Sequence, residues 1–233
     1  AAPSAPTLNG TISTSSSLSF KNVTLASSTI LTSTGSGGIS FSSTIDGSHD
    51  LTINTSGATT IGGAVGGSIP LASLTTNSGG SLAINTTSIK TTGAQSYGEA
   101  ATLGANVSLD TTLGSSAGAN IGFGSTLSGA SSARNLTLNA GTGGQISVAG
   151  AITTNVGTIT ITDSGGANFA GAVTASNSVV ISSTTSGASV IFGGALTTGT
   201  LTTAAQGYNM ALNGASGTIT NAVVFRNTGT LAF

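Results

Sequence analysis

The sequence predicts an all-β chain, folded as a single right-handed parallel β-helix (a β-solenoid) of about 11 rungs with about 21 residues each. Three observations predict it. A large apolar residue returns every 19 to 25 residues, at Phe20, Phe41, Ile61, Ile84, Leu103, Phe123, Val148, Phe169, Phe192, Leu212 and Phe233, and six of the seven phenylalanines lie on this series. Around each of these residues apolar side chains alternate with small ones, the period-2 pattern of a strand with one buried face. No segment shows a 3.6-residue period, and Val, Ile and Thr fill the apolar runs, which favours strands over helices.

The elements follow in order along the chain. Residues 1–17 read as an extended leader that opens on Ala-Ala-Pro-Ser-Ala-Pro, and 18–233 as one uninterrupted repeat domain. Good copies of the repeat are Ile121-Gly-Phe-Gly-Ser-Thr-Leu127, Ile146-Ser-Val-Ala-Gly-Ala-Ile152 and Val190-Ile-Phe-Gly-Gly-Ala-Leu196. A second alternating run follows in many copies, as in Leu51-Thr-Ile53, Leu136-Thr-Leu138, Ile159-Thr-Ile161 and Val179-Val-Ile181. Gly, Ser, Asn and Thr separate the runs and supply turns. Stacked at about 4.8 Å per rung, the eleven ladder residues would form one internal column in a rod on the order of 50 Å long. An immunoglobulin-like sandwich also has short strands and turns, but it gives no reason for one column to recur through the whole length.

Composition narrows the functional classes. Only 4% of residues are charged and the formal net charge is −1, against about 25% charged in ordinary globular domains. The surface must therefore be hydroxyls, amides and methyl groups. Lys21, Lys90, Arg134 and Arg226 are scattered singly, so no basic stripe meets a nucleic acid. No cysteine is present, which removes disulfides and thiolate metal sites. No apolar run approaches the length of a membrane-spanning helix.

Catalysis finds little material. Carbohydrate-cleaving β-helices need paired carboxylates at fixed separation, and the acids are Asp46, Asp50, Glu99, Asp110 and Asp163. Only Ile45-Asp-Gly-Ser-His-Asp50 clusters, and it reads as a polar turn between two strands. No catalytic, cofactor-binding or metal-binding residue is assigned, and no cofactor is expected. The calcium-binding Gly-Gly-x-Gly-x-Asp repeat is missing, and the glycine pairs at 36–38 and 141–144 open no helix that could cradle phosphate. Tyr97 and Tyr208, each two residues after a glutamine, are candidate sugar-stacking aromatics or plain turn residues. Six Asn-x-Ser/Thr sequons occur, at Asn9, Asn22, Asn54, Asn85, Asn106 and Asn135, no more than a chain this rich in Ser, Thr and Asn produces by chance. Thr-x-Thr pairs that could order ice-like water occur at 158–162 and 218–220, in no clear column.

Residues 62–76, Gly-Gly-Ala-Val-Gly-Gly-Ser-Ile-Pro-Leu-Ala-Ser-Leu-Thr-Thr, continuing through Thr91-Thr-Gly-Ala-Gln-Ser-Tyr-Gly-Glu-Ala100 to Leu103-Gly-Ala-Asn106, resemble modules of large bacterial exoproteins. These are of the filamentous haemagglutinin and autotransporter-adhesin type, and Ile146–Ile152 and Asn168-Phe-Ala-Gly-Ala-Val173 fit the same pattern. The resemblance implies a β-helical stalk exported to the bacterial cell surface. The secretion module and the membrane barrel of such exoproteins are not found in the sequence.

The expected function is that of a non-catalytic extracellular structural protein, a building block of a surface fibre or adhesin stalk. The last ladder residue, Phe233, ends the sequence and no capping helix can be read at either end. The expected partner is therefore the protein itself, stacked head to tail into filaments, or further repeats of a longer exoprotein. A glycan- or ice-binding module is the alternative and a polysaccharide-degrading β-helix a remote one.

Overall fold

The computed structural model describes residues 6–233. All regular structure is β, and the strands stack in parallel through about 10 turns of about 22 residues. Each turn lays a strand on three faces in succession. The first face carries 18–20, 39–41, 58–61, 81–84, 100–103 and 127–129, and continues through Ile152 to 173–175, 196–198 and 218–219. The second carries 23–25, 45–46, Val65, 88–90, 107–110, 136–139, 158–161, 178–181 and 200–203. The third carries 29–33, 51–55, 73–76, 95–97, 121–123, 146–148, 167–169, 189–192, 209–212 and 231–232.

Alternation explains why every strand suits its place. Along Leu136-Thr-Leu138 and Ile159-Thr-Ile161 the aliphatic side chains are buried and the threonines between them are half-exposed. The inward residues of the three faces merge into one continuous apolar core from Leu8 to Met210. Aromatic rings stack where they meet in register: Phe20 on Phe41 at 5.2 Å, Tyr97 on Phe123 at 4.9 Å, and Phe169 on Phe192 at 5.0 Å between centroids.

The expected single column is two columns. Phe20, Phe41, Ile61, Ile84 and Leu103 stack on the first face, and the next residue in their ladder is Gly129. Phe123, Val148, Phe169, Phe192 and Leu212 stack on the third, below Ile12, Leu31, Ile53, Thr76 and Tyr97. The step from Leu103 to Phe123 crosses from face to face. It looks like a full turn because segment 111–120 is unusually long. Phe20 and Leu212 are half-buried, and Phe233 is 82% exposed.

Residues 7–14, within the expected leader, form a strand that pairs in parallel with Val23–Ser33 and supplies the second and third faces of the opening coil. Residues 1–5 lie outside the described part. On the outer side of the first face Ser19, Ser40, Thr60, Ala83, Thr102 and Ser128 stand in register, and so do Thr174, Thr197 and Thr218. This hydroxyl column, interrupted at Ala83, was hidden in the sequence because each strand contributes at most one outward hydroxyl between two inward residues, and only Thr218 belongs to a Thr-x-Thr pair.

Candidate functional site: the polar corner between the second and third faces

The acids occupy the coil as ties between turns. Asp46 points outward from the second face, and its Oδ1 accepts the backbone N–H groups of Ser68 (2.8 Å) and Ile69 (3.1 Å) one turn on. Asp50 opens a third-face strand and accepts hydroxyls from both neighbours, Ser28 on Oδ2 (3.0 Å) and Ser73 on Oδ1 (2.6 Å). Between them His49 is half-buried, and its backbone carbonyl accepts the Ala72 N–H at 3.0 Å. The only acidic cluster of the sequence thus serves as a junction of three turns.

Glu99 is buried at the corner between the third and first faces, where Oε2 accepts the Thr76 hydroxyl and Oε1 has no partner. Asp110 Oδ1 accepts the Thr112 N–H (2.8 Å), the Thr112 hydroxyl (2.7 Å) and the Asn139 amide (3.3 Å). Asp163 Oδ1 accepts the Ser164 N–H (3.0 Å) and the Ser183 hydroxyl of the next turn (2.8 Å).

Both tyrosines are buried, which removes them as sugar-stacking platforms. Tyr97 donates its hydroxyl to Gln95 Oε1 at 3.0 Å. The Gln95 amide in turn donates to the Ile89 and Asp110 carbonyls at 3.2 and 3.1 Å and to Thr91 Oγ1 at 3.3 Å. Burial pushes the Tyr97 phenol well above the usual tyrosine range and raises that of Tyr208 as well.

Four polar residues share one line. Lys90, Asp110, Asn139 and Asp163 follow one another in register at the end of the second-face strands. Just beyond it the row opens into a groove of about 370 Å³ lined by Thr142, Asp163, Ser183, Thr184, Thr185, Ser186, Gln206 and Gly207. Segment 182–188 makes one wall. The other is a bulge at 142–144, where Gly141 pairs with Ser164 and Gln145 with Gly166. Between them the shorter stretch 164–166 forms the floor. The Thr185 hydroxyl reaches over it to the Thr142 carbonyl at 2.6 Å, and the Thr185 N–H to the Ser164 carbonyl at 2.9 Å.

Reading by residue clusters missed this groove. Its signal lay in the spacing, because Asp163, Ser183 and Gln206 sit about one turn apart and are neighbours only once the coil is wound. Among the described residues no group of three His, Cys, Asp or Glu stands close enough to hold a metal ion.

No protein-family model matches the chain, and no curated protein or solved structure shows significant similarity to it.

Proposed function

We propose that the protein is a non-catalytic structural solenoid, a building block of an extracellular fibre or adhesin stalk on a bacterial surface. The observation that carries this reading is the use of the acidic side chains. All five acids hydrogen-bond across neighbouring turns, and Asp110 and Asp163 also within one. Carboxylates committed in this way brace a rod and are poorly placed to move protons. The first and third ladders run on to the last turn and the second to 200–203, so a pull along the rod is shared by many backbone hydrogen bonds. The resemblance of 62–112, Ile146–Ile152 and Asn168–Val173 to modules of exported adhesins supports the surface location.

Stacking belongs to the same reading. Beside Phe233 lies an apolar hollow of about 320 Å³ lined by Gly194, Leu196, Leu212, Gly214, Gly217 and Ile219. Further rungs would cover it, contributed by a second copy docked head to tail or by more of the same chain. Negative-stain electron microscopy over a concentration series tests the copy-on-copy form. Rods of uniform width that lengthen with concentration are expected. Isolated rods of roughly 50 Å at all concentrations would remove head-to-tail assembly and leave the stalk-segment reading.

A further inference from the structure

We infer that the groove between segments 142–144 and 182–188 is a binding site for a neutral oligosaccharide. Its polar groups are fixed before any ligand arrives. The Asp163 carboxylate is held through Oδ1 by Ser164 N–H and by Ser183 Oγ. Gln206 donates from Nε2 to Ser183 Oγ at 3.3 Å and accepts the Thr184 N–H on Oε1 at 2.9 Å. Beneath them the Ser164 and Thr184 hydroxyls pair at 3.1 Å, both fully buried. This chain runs across three turns and leaves Asp163 Oδ2 without a protein donor, at a residue that lines the groove.

The lining selects the class of ligand by elimination. No lysine, arginine or histidine lines the groove, so an anion would meet a carboxylate with no counter-charge. A lone carboxylate with no second acid beside it is a poor cation site. The lining residues are Ser, Thr, Asp, Gln and Gly, with no apolar side chain large enough to bury a lipid or an aromatic ring. A neutral ligand carrying several hydroxyls satisfies what remains. One hydroxyl donates to Asp163 Oδ2 and others exchange hydrogen bonds with Thr142, Ser186 and Gln206, the convergent polar contacts that fix a ligand in a cleft. The lining comes from four successive turns, at Thr142, Asp163, Thr185 and Gln206, so at about 4.8 Å per turn the groove spans about 14 Å along the rod, which suits a short oligosaccharide better than a single sugar. Asn139 and Asp110 extend the same row toward the earlier turns.

The test uses the whole chain on an array of immobilised neutral oligosaccharides (α- and β-glucan, mannan, galactan and chitin fragments), with titration calorimetry on any hit. Binding of at least one fragment is expected. Asp163→Asn should weaken it at least tenfold, since an amide nitrogen replaces the free acceptor oxygen while the oxygen facing Ser183 is kept. Thr102→Ala, on the outer side of the first face, should leave affinity unchanged, and circular dichroism confirms that each variant keeps the β-fold. Retention of no fragment by the wild type overturns the proposal, as does equal affinity in Asp163→Asn. Asp163-dependent terbium luminescence without sugar binding would also overturn it and make the groove a cation site.

Discussion

A phenylalanine in this coil is worth what its two neighbours make of it. Phe123 is buried and stacked on Tyr97, and Phe169 is stacked on Phe192. Replacing either with alanine leaves a cavity, so Phe123→Ala and Phe169→Ala should each cost about 3–5 kcal/mol. Phe233, 82% exposed, should cost under about 1 kcal/mol on the same change. Thermal melts of the three variants check the contrast. Buried tyrosine adds a pH dependence of defined sign. The unfolded chain releases its phenol protons near the ordinary value of about 10, whereas the folded chain holds them to higher pH. The unfolded state therefore binds fewer protons above that value, and stability falls as pH rises through and beyond it. Below pH 9 these phenols contribute no slope. Urea midpoints between pH 8 and 11 should show the fall, and Tyr97→Phe should reduce it at the expense of leaving Gln95 Oε1 without its donor.

At the scale of the element, the corners explain what the sequence disclosed and what it hid. The repeat Phe-x-x-x-aliphatic was legible, as in Phe123/Leu127, Phe169/Val173 and Phe192/Leu196. It marks the passage from the third face to the first. Phe41/Ile45, Ile61/Val65 and Leu103/Val107 have the same spacing but mark the passage from the first face to the second. Two different corners share one local pattern, so an alignment glides from one to the other and eleven residues look like a single column. Period-2 alternation reports that a strand has a buried side and is silent about which of three walls it belongs to. The groove was invisible for a related reason, since its residues come from separate turns with no local signature. At the corner from the third face to the first, Gly150, Gly171, Gly194 and Gly214 follow one another up the stack. A Cβ on Gly171 would stand 2.6 Å from the Gly150 carbonyl. The backbones touch there with no room for a side chain. Gly171→Ala should push the two turns apart and cost about 1–3 kcal/mol, read as a lowered melting temperature with the β-sheet spectrum retained.

The molecule as a whole behaves as a sum of turns joined to their neighbours. Phe169 and Phe192 occupy equivalent places, as do Val173 and Leu196. Excising residues 170–192 therefore joins Phe169 to Gly193 in register and removes one coil. The shortened chain should fold, melt within a few degrees of the parent, and measure about 4.8 Å less in length by small-angle scattering. Collapse of the fold on this excision would mean that the turns are not interchangeable.

The third-to-first corner takes the same short form in the four turns from Phe123 to Phe192, at 124–126, 149–151, 170–172 and 193–195. The second-to-third corner instead takes 111–120 in one turn, a bulge in another and 182–188 in a third. One edge of the rod therefore keeps the pitch while the opposite edge absorbs changes in chain length. Foreign peptides inserted along that tolerant edge would stand in a straight file at multiples of the rung spacing, which makes the coil a ruled scaffold for presenting epitopes.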